Sequence, residues 1–97
     1  MVLEAVMLTI KLGQTAAFEA AFAEARPIIT AAPGCLSCTL ERCLENDHRY
    51  LLLVEWETLE DHMQGFRPSP DYLRWKALLH HFYDPFPEVL HYRQVAP

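Results

Sequence analysis

His62 is the side chain whose type and position best fit proton-transfer chemistry. A histidine with an ordinary pKa of about 6.5 gains and loses a proton near neutral pH. His62 follows Trp56 by six residues and lies one turn before Phe66 on the same side of a short predicted helix. We predict His62 as the catalytic candidate. The alternatives are a histidine in solvent or one hydrogen-bonded to a nearby carbonyl.

Aromatic side chains near this helix could form the walls of an apolar pocket. Tyr72 and Trp75 share one face of a later predicted helix, and a buried Tyr72 hydroxyl would need a polar partner. Aromatic stripes at helical spacing are more often part of a core than of a binding site, and a core role is also open for Trp56. The predicted substrate-binding aromatic residues are Trp56, Phe66, Tyr72 and Trp75, with Phe18 and Phe22 as the opposite wall.

Arg93 is the one predicted substrate-binding residue with a charge. It lies on the last predicted strand, where it shares a face with His91, and Tyr92 takes the other face. A guanidinium could hold a substrate oxygen as an anion. The alternative is an ion pair with a carboxylate across a dimer interface.

The cysteines and the paired histidines do not indicate a metal site. Cys35 and Cys38 lie three apart on a predicted strand, so their sulfurs should point to opposite faces. No second cysteine pair follows at zinc spacing, and the role of Cys43 stays open. His80 and His81 are about 100° apart on a helix and cannot easily share one ion, so we expect a solvated helix end there.

Periodicity predicts one domain over residues 1–97 with the order β-α-β-β-α-β. The predicted strands are Val2 to Ile10, Cys35 to Leu44, Arg49 to Glu57 and Val89 to Val95. The predicted helices are Gln14 to Ala32, with a kink or break at Pro27, then Thr58 to Phe66, and one that begins at Ser69-Pro70. The pattern is typical of an α+β, ferredoxin-like split β-α-β fold, with a four-stranded antiparallel sheet and helices on one face.

The third predicted strand is apolar on both faces. Tyr50, Leu52, Val54 and Trp56 lie on one side, and Leu51 and Leu53 lie on the other. An antiparallel sheet with one face in water should alternate apolar and polar residues, so the second face needs a cover that the chain itself lacks. The simplest cover is a second copy about a two-fold axis, and we predict a homodimer through the sheet faces.

Composition excludes several classes of partner. Eight Lys and Arg against 13 Asp and Glu give a net charge of -5, which disfavours nucleic acid or an anionic membrane. No apolar run reaches the length of a membrane span, and the N-terminal residues do not resemble a signal peptide. Three cysteines fit a reducing compartment, so we expect a cytoplasmic protein.

The whole chain resembles the antibiotic biosynthesis monooxygenase (ABM) domain family of the dimeric α/β-barrel superfamily. The residues that carry the resemblance are the Phe18 to Phe22 helix, Ala32-Pro33-Gly34-Cys35, Tyr50 to Trp56 followed by Asp61-His62, Phe66-Arg67-Pro68-Ser69, Trp75, and Pro87 to Tyr92. The family includes cofactor-free oxygenases of anthrones and quinols, haem-degrading enzymes and a quorum-signal processing enzyme.

The resemblance implies a pocket between each sheet and its own helices. It implies a monooxygenase that needs no cofactor and oxidises a small electron-rich aromatic such as a quinol, anthrone or polyphenol, with His62 as proton acceptor. A dimeric α/β-barrel protein that binds a small ligand without turnover is the alternative. Haem degradation is disfavoured because Glu4 to Thr9 contains no Asn, Gly65 or Phe66 stands where the family Trp would fall, and Lys76 stands near the haem-ligand His.

Overall fold

The structure, a computed structural model, describes residues 1–97 and has the predicted element order. The strands are β1 (Val2–Thr9), β2 (Cys35–Arg42), β3 (Arg49–Trp56) and β4 (Val89–Tyr92). The helices are α1 (Thr15–Thr30) and α2 (Pro70–Leu79), with a π-helical turn at Asp61–Phe66 before α2 and a 3-10 turn at His80–Phe82 after it. The strands form one antiparallel sheet in the order β2-β3-β1-β4. The predicted α+β ferredoxin-like fold is confirmed.

The core lies between the two helices and one face of the sheet, which we call the inner face. The residues of β3 that point to it, Tyr50, Leu52, Val54 and Trp56, are all buried. They meet the predicted α1 stripe of Phe18, Phe22, Ala25 and Ile29, which is also buried. Every second residue of β3 therefore faces the helices, as the period of a strand requires.

Helix α1 continues through Pro27, where the sequence predicted a kink or break. Pro27 is exposed, and the helix ends only three residues later, at Thr30. Ile28 and Ile29 are buried in the core and hold this last turn against the sheet. The Thr30 hydroxyl donates a hydrogen bond to the carbonyl of Arg26 at 3.1 Å, one residue before the proline. Packing thus overrides the local cost of the proline.

A β-bulge in β2 corrects the predicted alternation of that strand. Cys35 pairs with Trp56 and Ser37 with Glu55, so Leu36 is the extra residue and is exposed. The bulge places Cys35 and Cys38 on the same inner face, and the prediction that their sulfurs diverge is wrong. Leu44, predicted as the last residue of this strand, lies beyond the end of β2 and is exposed.

The connection from β3 to the π-helical turn is fixed by a capping box and by Gly34. The Asp61 N–H donates to the Thr58 hydroxyl at 3.1 Å, and the Thr58 N–H donates to the Asp61 carboxylate at 3.2 Å. Gly34 has a φ of +85°, and an added Cβ would overlap the Asp61 side chain. The Gly34 carbonyl also accepts the Glu57 N–H at 2.8 Å. These contacts fix the position of the π-helical turn that carries His62 relative to the end of β3.

The opposite side of the sheet, which we call the outer face, is apolar and uncovered in the single chain. Its partly or largely exposed apolar residues are Leu3, Ala5, Met7, Leu51, Leu53, Leu90 and Tyr92. They are neighbours in the register, since Ala5 pairs with Leu53 on one side and with Leu90 on the other.

Neither helix has the combination of length and apolar character that a membrane-spanning segment needs.

Candidate active site

A cavity lies between the inner face and the segments that surround α2. The residues that line it are Glu4, Val6, Ile29, Leu52, His62, Phe66, Arg67, Tyr72, Trp75, His80, Tyr83, Phe86, Pro87 and Val89. Its volume is about 60 Å³, which is less than the roughly 150 Å³ of a cavity that admits benzene. The chain therefore surrounds a small, mixed polar and aromatic space with both His62 and Tyr72 at its border.

His62 is the buried base of this cavity. It lies in the π-helical turn with 3% of its surface exposed, and its ring stacks on Trp56 at a centroid distance of 5.1 Å and an angle of 20°. Burial, helped by the nearby His91 and Arg67, lowers its pKa to about 4. The imidazole is neutral at pH 7 and is able to accept a proton.

Glu4 is a buried carboxylate beside His62. It points inward from β1, and its Oε1 accepts the Trp56 Nε1–H at 3.0 Å and lies 3.4 Å from His62 Nε2. Burial raises its pKa, while the Trp56 hydrogen bond and the Arg67 charge act in the opposite direction. Both protein contacts fall on Oε1, so Oε2 is the oxygen left for a ligand. The sequence analysis missed Glu4 as a site residue.

His91 completes the polar cluster from the neighbouring strand β4. Its Nε2 lies 2.7 Å from His62 Nδ1, a hydrogen bond in which either ring can be the donor. Burial and the Arg67 charge lower the pKa of His91. Register explains the meeting, because His91 pairs with Glu4 across β1 and β4.

His80 is a second imidazole on the cavity wall, and the expectation of a solvated helix end is wrong for it. Its ring packs between Tyr83 at 5.4 Å and Phe86 at 5.1 Å. Its Nδ1 is buried without a protein hydrogen-bond partner. Burial, with the Lys76 and Arg67 charges, lowers the pKa of His80 to about 4, so a neutral ring offers one acceptor nitrogen.

The structure brings some of the predicted site residues together and separates others. Phe66, Tyr72 and Trp75 line the cavity with His62, and Trp56 lies behind the His62 ring. The three remaining predicted residues, Phe18, Phe22 and Arg93, do not line it.

Two of these three belong to the core, and the third is on the surface. Phe18 packs on Tyr83 at a centroid distance of 6.3 Å, and Phe22 packs on Trp75 at 6.0 Å, so both lie one layer behind the wall. Arg93 was predicted within the last strand, but β4 ends at Tyr92. Arg93 is therefore exposed, and it lines a separate surface cleft.

The cysteines are not part of the site. All three are free, and burial raises the pKa of Cys35 and raises that of Cys38 to about 12. Both side chains are therefore thiols at neutral pH, which are poor nucleophiles and poor metal ligands. No group of three or more His, Cys, Asp or Glu side chains is arranged to hold a metal ion.

Comparison with known proteins relates the whole chain to one family. Residues 1–78 match the antibiotic biosynthesis monooxygenase family. The uncharacterized protein YczJ of Bacillus subtilis strain 168 is 57% identical over 95 residues, which are 98% of this chain and 100% of YczJ.

Solved structures give the same relationship at the level of the fold. A protein of this family from Bordetella bronchiseptica has a crystal structure with a TM-score of 0.92 and 37% identity, over 98% of this chain and 97% of that chain. SnoaB, a cofactor-independent oxygenase from Streptomyces nogalater, has a TM-score of 0.85 at 21% identity, over 99% of this chain and 94% of that chain. The match over most of its length and the fold that it shares with these structures make this chain a member of the antibiotic biosynthesis monooxygenase family.

Proposed function

We propose that the protein is a cofactor-independent monooxygenase that oxidises a small electron-rich aromatic compound with O₂ in the cavity between the sheet and the helices. The observation that carries the proposal is the buried, neutral His62 beside Glu4 at the border of an aromatic cavity. Family membership supports the reaction class, since the family includes monooxygenases.

His62 accepts the proton of a substrate hydroxyl in this mechanism. Its Nε2 lies beside the cavity carboxylate, while its Nδ1 is held by His91. The imidazolium that forms lies 3.4 Å from the Glu4 carboxyl group, which stabilises it in its ionised form; burial raises the pKa of Glu4, and the Trp56 N–H acts in the opposite direction. The dry aromatic surroundings strengthen this attraction because they lower the local dielectric constant.

The oxidation balances without a further redox partner. The deprotonated, electron-rich ring transfers an electron to O₂, and the resulting ring radical and superoxide combine to form a carbon–oxygen bond. The peroxide takes a proton back from His62 and then loses water, which leaves a carbonyl on the ring. The substrate loses two hydrogens and gains one oxygen atom, and the second oxygen of O₂ leaves as water. The protein supplies the proton acceptor, the orientation and the exclusion of solvent.

The cavity must widen before it can take an aromatic ring, because its volume is about 60 Å³. Phe86 and Pro87, in the connection between the 3-10 turn and β4, line it, and Phe86 is 65% exposed. Phe86 borders both the cavity and solvent, whereas Leu52 of the sheet and Trp75 of α2 are buried. We place ligand entry at this connection.

His80 gives the ligand a second polar contact. Its buried Nδ1 has no protein partner and lies on the same cavity as His62. A neutral imidazole nitrogen accepts one hydrogen bond, and an unpaired buried acceptor costs about 1–3 kcal/mol. A ligand with a second hydroxyl removes this cost, which favours a substrate with two hydroxyl groups.

Oxygen uptake tests the function. Purified protein should consume O₂ when a simple hydroquinone or anthrone is added, and His62→Gln should lower that rate by about 10²–10⁴-fold. Met63→Gln is the matched control, since Met63 is the exposed neighbour in the same turn. It should leave the rate unchanged.

Two results would contradict the proposal. Turnover that is equal in His62→Gln and in Met63→Gln removes His62 from the mechanism. A small aromatic that stays bound through purification, without any O₂ uptake, would instead identify a ligand-binding protein.

The partner that we propose for the outer face is a second copy of this chain. The apolar residues of this face form one continuous patch across β1, β3 and β4. Large exposed apolar patches mark interaction surfaces, and proteins of this family are typically dimeric. A sheet-to-sheet dimer leaves both cavities open, because each lies on the inner face. A stable monomer at micromolar concentration in light scattering would contradict it.

A further inference from the structure

The cluster of Glu4, His62 and His91 connects two separate spaces in the molecule. Glu4 and His62 line the internal cavity. His91 does not, and it lies instead on a surface cleft with Val2 and Arg93. His62 is almost fully buried, whereas His91 is half-buried. A continuous pair of imidazole rings therefore runs from the cavity to solvent.

We infer that His91 is the outlet of a proton relay, through which the proton taken from the substrate by His62 reaches solvent. The inference rests on the proposed function, since it needs His62 to be the proton acceptor. It rests on geometry: the 2.7 Å contact between His62 Nδ1 and His91 Nε2, and the positions of the two rings on different cavities.

The relay moves protons without leaving charge behind. Before reaction, His62 Nδ1–H donates to Nε2 of His91, which leaves the Nε2 lone pair of His62 on the side of Glu4, a residue that also lines the cavity. The substrate proton binds this Nε2 while the Nδ1 proton moves to His91, and His91 releases its own Nδ1 proton to water in the cleft. His62 then carries its proton on Nε2 beside Glu4. In the reverse exchange His62 gives this Nε2 proton to the peroxide and His91 takes one proton back from water in the cleft, which restores the first tautomer and leaves no net release of protons.

The relay also answers a difficulty of the buried site. The enclosed His62 ring has solvent on neither nitrogen, because Nδ1 meets His91 and Nε2 lies 3.4 Å from Glu4. A retained proton would leave an imidazolium in a buried position, with the Arg67 cation acting on it. Transfer to His91 removes that charge while the ring reacts with O₂, and the proton that returns is consumed in the water that leaves the peroxide.

His91→Phe tests the relay, since it keeps a ring of similar size and removes both nitrogens. We expect kcat to fall by about 10-fold or more while KM is unchanged, because proton release is slowed and binding is not. Added imidazole should restore kcat in this variant by entering the cleft. The control is Leu59→Gln, which changes another exposed side chain on the same cleft and should leave kcat and imidazole dependence unchanged.

A second measurement does not depend on turnover. In a ¹⁵N spectrum of the histidine rings, the His62 Nδ1 proton should exchange with water faster in the native protein than in His91→Phe. Unchanged kcat and unchanged exchange in His91→Phe would overturn the relay. If His62→Gln still abolishes turnover in that case, the proposed function stands without it. If no variant and no substrate gives O₂ uptake, the function fails, and the exchange result alone decides whether the two rings conduct protons.

Discussion

The two faces of the sheet contradict the usual distribution of polar and apolar residues. On the inner face, β1 buries Glu4 with 5% of its surface exposed and β4 carries His91. On the outer face, neighbouring residues of the same two strands, Met7 and Tyr92, are 56% and 51% exposed. Charged and imidazole groups are buried where a single chain would place apolar ones, and apolar groups are exposed where it would place polar ones.

The stability of a single chain explains neither the buried polar groups of the inner face nor the exposed apolar groups of the outer face. Burying a carboxylate costs free energy unless partners compensate, and Glu4 has only Trp56 as a hydrogen-bond donor. Exposing a continuous apolar patch costs solubility. Our proposals account for both faces: catalysis uses the inner face, and a second copy of the chain covers the outer face. Because side chains alternate along a strand, the same two strands present their polar groups to the inner face and their apolar groups to the outer face.

Leu51→Asp is the change with the largest expected effect on this comparison. Leu51 lies on the outer face, on β3 opposite Met7, and is 39% exposed. A dimer would bury two unpaired carboxylates about its axis, at a cost of about 3 kcal/mol, which raises the dissociation constant roughly 100-fold. Sedimentation over a concentration series measures it.

A matched control separates interface from general surface effects. Leu73→Asp places the same charge at an exposed position of α2, away from the sheet. It should leave the dissociation constant unchanged. If both variants dissociate alike, or neither does, the outer face is not the dimer interface.

Trp56→Phe tests what the inner face needs in order to hold its carboxylate. The change keeps an aromatic ring against His62 and removes the Nε1–H that Glu4 accepts. Trp75→Phe removes the same volume from another buried position that donates no hydrogen bond to a carboxylate. We expect the free energy of unfolding to fall about 1–2 kcal/mol further in Trp56→Phe, and the pKa of Glu4 to rise further. Equal losses in urea titrations would show that Glu4 does not depend on this donor.

The fold was readable from the sequence because its signals are local. Period-2 and period-3.6 patterns gave every strand and helix, and the apolar run of β3 indicated the uncovered face. The bulge at Leu36 was not readable, since alternation alone contains no sign of an inserted residue. The continuity of α1 at Pro27 depends on burial of Ile28 and Ile29, which only the packed structure gives.

The candidate site was readable only in part. His62, Tyr72, Phe66 and Trp75 were found by type and spacing, but they depend on neighbours from distant strands. One signal for Glu4 was present: it continues the inward row of Val6, Leu8 and Ile10, a carboxylate among buried positions. The pairing of β1 with β4 that brings His91 to His62 is tertiary and has no local signature.

Stability at low pH gives the finest comparison between the two faces, since only the inner face buries histidines. Burial lowers the pKa of His62 and His80 to about 4 from the ordinary 6.5, so between these values the unfolded chain binds more protons than the folded one. Stability should therefore fall as pH is lowered from 6.5 towards 4, by at most about 1.4 kcal/mol per pH unit for each histidine. Glu4 acts in the opposite direction, because its pKa is raised, but it is one group against three, since the pKa of His91 is lowered as well. The urea midpoint of the native protein should decline from pH 7 to 4.5. The decline should be shallower in His62→Gln, because one fewer histidine contributes to it. The control His81→Gln, at an exposed histidine, should show the same decline as the native protein. A midpoint that is independent of pH in the native protein would mean that these imidazoles titrate in the folded chain as they do in the unfolded chain, which would contradict their lowered pKa values.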